Sequence, residues 1–348
     1  MFAKFRNALL CTISICFGSS AVAIEINGAG SSAAGPLYVK WAEHYRRSSE
    51  TQLRYQPVGS SAGLKQIKER AVNFGASDVA VPAAELNKEK LICFPSAISG
   101  VVPVINVPGI KSGDLLLTGE ILADIFARKI TKWNDAGIAA LNPGIKLPKT
   151  DIELVVRQDG SGTTYNFTDY LSKVSNSWKE GYGRNFLIKW PNDAKPAKGS
   201  SGVVALLKQT PGAIAYVDYN YVVQDKLAFV KLKNRNGKFV APIPEAFAAA
   251  LDNSEWRSKA NFEEMLTDKP GKSTWPITMG TFVIIPQTAT DPASMIATLR
   301  FFTWAFMNGD RIVSDIDFVR LPDKVQAKIF SEMTKITDSK GNLLHWPM

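Results

Sequence analysis

Arg157-Gln158-Asp159-Gly160-Ser161-Gly162-Thr163-Thr164 reads as a tight turn set between a strand and a helix. Residues 152–156, just before it, are rich in β-branched side chains. After it, Phe167, Tyr170, Leu171 and Val174 fall at i, i+3, i+4 and i+7, the apolar stripe of an amphipathic helix. Gly and Ser at a helix start leave backbone N–H groups unpaired and sterically open, at the positive end of the helix dipole. With the hydroxyls they form a cradle for an oxyanion. Arg157 adds a forked cation suited to phosphate or carboxylate oxygens. Asp159 is a carboxylate where an anion should sit. Either it pairs with Arg157, or it meets an anion that has a proton to donate. A lone turn of this kind is better read as an Asx-type turn capping an ordinary helix.

Two more such units precede it. Gly28-Ala29-Gly30-Ser31-Ser32 follows a short strand at 24–26 and precedes Leu37, Trp41 and Tyr45 at i, i+4, i+8. Gly59-Ser60-Ser61-Ala62-Gly63 follows the alternating Leu53 and Tyr55 and precedes Leu64, Ile67 and Ala71. Three strand–turn–helix units can aim three helix N-termini at one point, which suits a small anion.

Residues 1–23 have the pattern of a secretory leader. Lys4 and Arg6 come first, an apolar run covers 8–17, and Ala21-Val22-Ala23 is an A-x-A cleavage site. Neither Cys11 nor Cys16 has the small-residue context of a lipoprotein site, so an exported chain without a membrane anchor is expected. Cleavage would leave Cys93 alone, with no intramolecular disulfide possible and the character of a small buried hydrophobe. The 348-residue chain carries a net charge of +9, and loss of two leader cations lowers it to +7. Its basic residues are scattered. The densest group, Lys231, Lys233 and Arg235, sits beside Asn236-Gly237 in what reads as a solvated hairpin tip, so no nucleic-acid partner is expected. With two histidines and one mature cysteine, no zinc-type cluster can form, and no calcium-loop pattern is present. Neither a metal nor any other cofactor is expected.

Strands and helices alternate through the chain, an α/β pattern. The apolar, β-prone runs at 100–106 and 275–285 read as strands that leave one lobe and return to it. They predict a discontinuous lobe I (24–102 and 280–348) and a continuous lobe II (103–279), with a ligand cleft between them. Two enzyme-like patterns compete. Gly28-Ala29-Gly30-Ser31-Ser32-Ala33 fits a loose dinucleotide fingerprint, but the next strand ends in Pro57-Val58-Gly59-Ser60 without the ribose-binding acid. Gly59-Ser60-Ser61-Ala62-Gly63 fits G-x-S-x-G, with Ser61 as nucleophile and His345 as the only downstream base. Too little mature chain precedes it for a hydrolase sheet, and a base so near a chain end is hard to hold. An exported serine hydrolase therefore stands as the alternative.

Ile26-Asn27-Gly28-Ala29-Gly30, the stretch from Gly59 to Ile67, Phe74-Gly75-Ala76-Ser77-Asp78 and the stretch from Arg157 to Thr163 together resemble one family. It is that of the periplasmic phosphate-binding proteins of the phosphate ABC transporter, the PstS family. Ile130-Thr131-Lys132-Trp133-Asn134 and Pro211-Gly212-Ala213-Ile214-Ala215-Tyr216-Val217 are similar to it as well. The resemblance covers essentially the whole mature chain. It implies a two-lobed binding-protein fold of type II, with a two-strand hinge closing over one phosphate and no catalytic turnover. It further implies a periplasmic location, a monomer, and delivery of phosphate to the permease and ATPase subunits of the transporter. By position it implies phosphate contacts from Ser32, Ala33, Ser60, Asp78, Arg157, Asp159, Ser161, Gly162 and Thr163. The family's first turn often has Thr-Phe where this chain has Ser32-Ala33; a hydroxyl and an N–H survive that change, and aromatic cover is lost. Asp78, read alone, is an Asp ending a short strand before Pro82, with a cap or turn role. Only the resemblance makes it the acceptor for the protonated oxygen of phosphate.

Overall fold

The computed structural model describes residues 24–256 and 262–346; the expected leader, residues 1–23, lies outside them. The strands in chain order are β1 (Glu25–Gly30), β2 (Gln52–Gln56), β3 (Phe74–Ser77), β4 (Leu91–Asn106), β5 (Leu116–Leu117), β6 (Glu153–Arg157) and β7 (Lys195–Ala197). There follow β8 (Ala213–Asp218), β9 (Ala228–Phe229), β10 (Lys231–Lys233), β11 (Phe239–Val240), β12 (Thr278–Pro286), β13 (Thr288–Ala289) and β14 (Thr337–Asp338). The main sheet runs β2-β1-β3-β12-β4-β8-β6-β7, with β9 also paired to β4. Each half has a parallel core, β2-β1-β3 and β8-β6-β7, and the antiparallel strands β12 and β4 lie between them.

One long strand ties the halves together. Residues 91–100 of β4 pair with β12, whereas 101–106 pair with β8 and, on the other edge, β9. Every residue from Phe94 to Ile105 is buried, which explains its near-continuous apolar sequence. The chain returns beside it: Val101 N donates to Ile277 O at 2.8 Å, and the Trp275 indole donates to Val101 O at 2.9 Å. Two adjacent segments thus cross between two lobes, the geometry of a strand hinge.

Each lobe has its own aromatic core. In the first, Tyr38 and Phe74 meet Phe302 of the helix Pro292–Asn308 edge to face at 6.2 and 5.0 Å. In the second, Phe167 stacks on Tyr216 at 4.3 Å and Phe126 meets Phe167 at 4.8 Å. The helix Gly35–Tyr45 buries Leu37, Trp41 and Tyr45 as its spacing predicts, and Pro36 fits its first turn. The basic cluster does lie on a hairpin, β10 to β11, pinned by Asn234 Nδ2 to the carbonyls of Gly271, Lys272 and Thr274.

The first glycine-rich segment differs from its sequence reading. β1 continues through Gly28 and Gly30 instead of stopping at residue 26, so the turn begins only at Ser31. Gly30 has φ 146°, and a Cβ there would fall 2.0 Å from Ala76 O of the neighbouring strand. This glycine serves close strand packing, not the anion turn.

Candidate functional site

The three turns, which follow β1, β2 and β6, converge with Asp78 at the end of β3 where the lobes face each other. Ser60 opens the helix Ser60–Lys68 and sits between them: its Oγ accepts from Asp78 N at 3.3 Å and from Gly162 N, across the cleft, at 3.1 Å. Ser61 N donates to Gly160 O at 3.1 Å, and Asn166 Nδ2 donates to Asp78 O at 2.8 Å. The approach is so close that a Cβ on Gly162 would lie 2.6 Å from Ser60 Oγ and 2.7 Å from Asp78 Cβ. Ser32, Ala33, Ser60, Asp78, Arg157, Ser161 and Thr163 are all buried, and Asp159 is nearly so. The lobes are closed, and the candidate residues form one sealed cluster.

Several of its donors have no protein acceptor. Thr163 Oγ1 is buried without a hydrogen-bond partner. Among the described residues, the N–H groups of Ser32, Ser60 and Thr163 also lack an acceptor. Arg157 gives Nε and Nη2 to Asp159, leaving Nη1 unmatched. Unpaired buried donors are costly, so their clustering marks a place built for an acceptor-rich ligand. Ser161 is the N-cap of the helix Gly162–Val174, its Oγ accepting from Thr164 N at 3.2 Å. Ala33 N is bonded to Ser31 Oγ at 3.1 Å, which leaves the N–H of Ser32 as the open one in that turn.

The two carboxylates differ. Both oxygens of Asp159 are committed, Oδ1 to Arg157 Nε at 2.8 Å and Gly199 N at 3.0 Å, Oδ2 to Arg157 Nη2. Burial alone would raise its pKa, but the hydrogen bond and charge of Arg157 outweigh it and the carboxyl is held below the usual range. Of the two readings that the sequence left open, pairing with Arg157 is the observed one. Among the described residues, Asp78 has no ion-pair partner in contact. Burial pushes its carboxyl up to about 6, against opposing pulls from the Ser31 hydroxyl, the Arg157 charge and Thr163.

Other contributors escaped the sequence reading. Ser200 bonds Ser32 across the cleft, Oγ to Oγ at 2.9 Å and N to Ser32 Oγ at 3.2 Å. It lies in Lys198-Gly199-Ser200-Ser201-Gly202 at the start of the helix Gly199–Gln209, a fourth Gly/Ser turn whose composition was itself the signal. Tyr216 steadies the last turn, its OH 2.8 Å from Thr164 Oγ1 and accepting from Arg157 N at 3.4 Å. Asn220 and Tyr221 hold the first turn through Ala33 O at 3.1 Å and Ser32 O at 3.0 Å. Tyr216 lies in the stretch 211–217 that is similar to the family, though without an assigned role; no local pattern announces Asn220 or Tyr221.

Two alternatives find no geometric support. Ser61 has no hydrogen bond to an imidazole among the described residues, and His345 is exposed close to the C-terminus. A groove of about 620 Å³, lined by Pro36, Val39, Tyr55 and Tyr221 among others, is predominantly apolar and sets the carboxylates of Asp315 and Asp317 against the single cation of Lys40, a balance that does not suit an anion.

What the buried cluster can do is hold a small tetrahedral oxyanion between helix N-termini, a guanidinium and one carboxylate acceptor. The comparisons with known proteins agree. Residues 17–308 match the family model of the PBP superfamily domain. The phosphate-binding protein PstS of Xylella fastidiosa is 43% identical over 88% of this chain and 84% of its own. That of Pasteurella multocida is 41% identical over 97% of this chain and 98% of its own. A solved phosphate-binding protein from Stenotrophomonas maltophilia, 19% identical, shares the fold with a TM-score of 0.69 over 89% of this chain and 93% of that one. With such identity along nearly its whole length, the chain belongs to the PstS family of phosphate-binding proteins.

Proposed function

We propose that this protein captures inorganic phosphate in the periplasm and hands it to the permease and ATPase subunits of a phosphate ABC transporter, as a monomer and without catalytic turnover. The observation that carries the reading is the set of unmatched buried donors, Thr163 Oγ1, Arg157 Nη1 and three N–H groups, gathered around the lone acceptor Asp78. Phosphate supplies oxygens to the donors and a proton to the acceptor. Ser32, Ser60, Arg157, Ser161, Gly162 and Thr163 are the contacts, Ala33 frames the first turn, and Asp159 acts through Arg157. The proposed lobes are 24–102 with 280–348, and 103–279, with residues 1–23 removed on export. No helix among the described residues is long and apolar enough to cross a membrane.

Entry into so buried a site requires the hinge to open, and full coordination requires it to close. Titration calorimetry with phosphate should give one site per chain, and small-angle scattering should show compaction on binding. Phosphate should also raise the unfolding temperature, because the folded form alone takes up ligand. No heat and no thermal shift would defeat the proposal. Steady release of phosphate from a phosphate ester would defeat the non-enzymatic part.

A further inference from the structure

Ser31 is absent from the contacts that the family resemblance implies, yet its hydroxyl is the side-chain group bonded to Asp78. Its Oγ lies 2.5 Å from Asp78 Oδ1 and receives the N–H groups of Ala33 and Ala34, each at 3.1 Å. A hydroxyl has one proton and two lone pairs. Both amides can only donate, so both lone pairs are filled and the proton has one remaining destination, the carboxylate. The hydroxyl rotor is locked. Oδ1 is thereby fixed as an acceptor, and no hydrogen bond among the described residues falls on Oδ2. We propose that Ser31 is a positioning residue for anion selectivity: by giving its only proton to Oδ1 it keeps Asp78 ionised and presents Oδ2 as the single acceptor for a protonated oxyanion. The proposal rests on the phosphate-capture reading above.

The surroundings of Asp78 make this bond matter. Burial raises its carboxyl to about 6, and Ser31 is the strongest of the opposing influences, ahead of Arg157 and Thr163. The Thr163 hydroxyl is near enough to favour the anion but has no partner of ordinary hydrogen-bond geometry. The remaining groups that feel Asp78 are Asp218 at the hinge and the phenols Tyr38, Tyr55 and Tyr221. Asp218 adds negative charge once ionised, and burial raises it to about 8; the phenols stay neutral over the working range. None of them can replace a donor aimed at Oδ1.

An ionised Asp78 repels sulfate, which has no proton to give, whereas a protonated Asp78 can donate to it. Sulfate should therefore begin to compete with phosphate as pH falls through the Asp78 titration, and loss of the Ser31 donor should move that onset upward by about one pH unit. The test is sulfate competition against phosphate between about pH 5 and pH 8 in wild type, Ser31→Ala, Ser31→Cys, Asp78→Asn and the Ser31→Ala/Asp78→Asn double variant. The expected result is an upward shift for Ser31→Ala, a smaller one for Ser31→Cys with its weak donor, and no shift added by Ser31→Ala once Asp78 is Asn. Phosphate affinity reduced equally at every pH, with the onset unmoved, would overturn the proposal and leave Ser31 as a cap of its turn. If Ser31→Ala does not fold, the Ser31→Cys onset decides, and a wild-type value overturns the proposal. Failure of wild type to bind phosphate would instead sink the capture reading itself.

Discussion

Asp78 and Asp159 line one buried cluster from opposite lobes, and the protein treats them in opposite ways. Asp159 is bound at both oxygens by Arg157 and by a helix N-terminus, and its carboxyl is held low. Asp78 is more deeply buried, has among the described residues only the Ser31 hydroxyl bonded to its carboxylate, and is pushed up to about 6. A fully paired carboxylate is structural: it fixes the guanidinium and cancels its charge. An under-paired carboxylate is a standing cost that a ligand proton can relieve. The cradle thus has no net positive charge, and one net negative charge while Asp78 is ionised, so it must hold an anion through amide dipoles and hydroxyls and can select by the proton the anion carries.

The harshest way to break the comparison is Arg157→Ala. It removes the cation from the cradle and strands Asp159 as an unpaired, largely buried charge, a change that typically costs about 3–5 kcal/mol. Phosphate affinity should fall more than about a hundredfold by calorimetry; a loss under about tenfold would mean that Arg157 does not face the ligand.

Asp78→Asn comes next. It keeps the shape and removes the repulsion, so sulfate should gain about 2 kcal/mol relative to phosphate, while arsenate, protonated like phosphate, should still bind wild type. The sign of the stability change also follows. A carboxyl raised in the folded state costs stability above pH 6 or so, and that cost disappears as pH falls below its unfolded value. Ligand-free Asp78→Asn should therefore be more stable than wild type at neutral pH, by about 1–2 kcal/mol, with the difference closing toward pH 4 in denaturant titrations. A less stable variant at pH 7 would contradict the assigned direction.

Gly162→Ala sharpens the argument differently, because it leaves both carboxylates in place. The added Cβ collides with Ser60 and Asp78 of the other lobe, so closure should be hindered and phosphate affinity reduced about tenfold, with thermal stability nearly unchanged. Scattering should show incomplete compaction at saturating phosphate, and a fully compact, tight-binding variant would refute the closed geometry.

The smallest effect is expected from Asp159→Asn. A carboxyl lowered in the folded state contributes stability above its unfolded pKa and loses it as pH falls through the folded value. The variant should be about 1 kcal/mol less stable than wild type at pH 7 and equal to it at strongly acidic pH, the reverse of Asp78→Asn.

Much of this molecule is legible in the order of its residues. The helix stripes at 37, 41, 45 and at 167, 170, 171 are buried as their spacing requires, and the apolar run at 100–106 is a crossing strand. Gly/Ser turns after β-branched runs mark helix N-termini because the chemistry of an open N–H is local. Other outcomes depended on partners distant in the chain. Whether β1 stopped at residue 26 or ran on to Gly30 was decided by Ala76 on a neighbouring strand. Ser200 lies 168 residues from Ser32, and Asn220 lies 187 from Ala33, so neither could be assigned to the cluster until the hinge brought the lobes together.

The two aspartates show the same division. Asp159 stands two residues from Arg157, so local geometry alone offered it a partner, and the sequence by itself raised that pairing. Asp78 has no such neighbour. Its burial comes from the closure of two lobes, and its one side-chain donor among the described residues, Ser31, lies 47 residues away on another strand's end. Local sequence determines which groups can donate, cap or pair within a turn, because those contacts span a few bonds. Desolvation is a property of everything packed around a group, so only the tertiary structure decided which carboxylate was left to meet a proton.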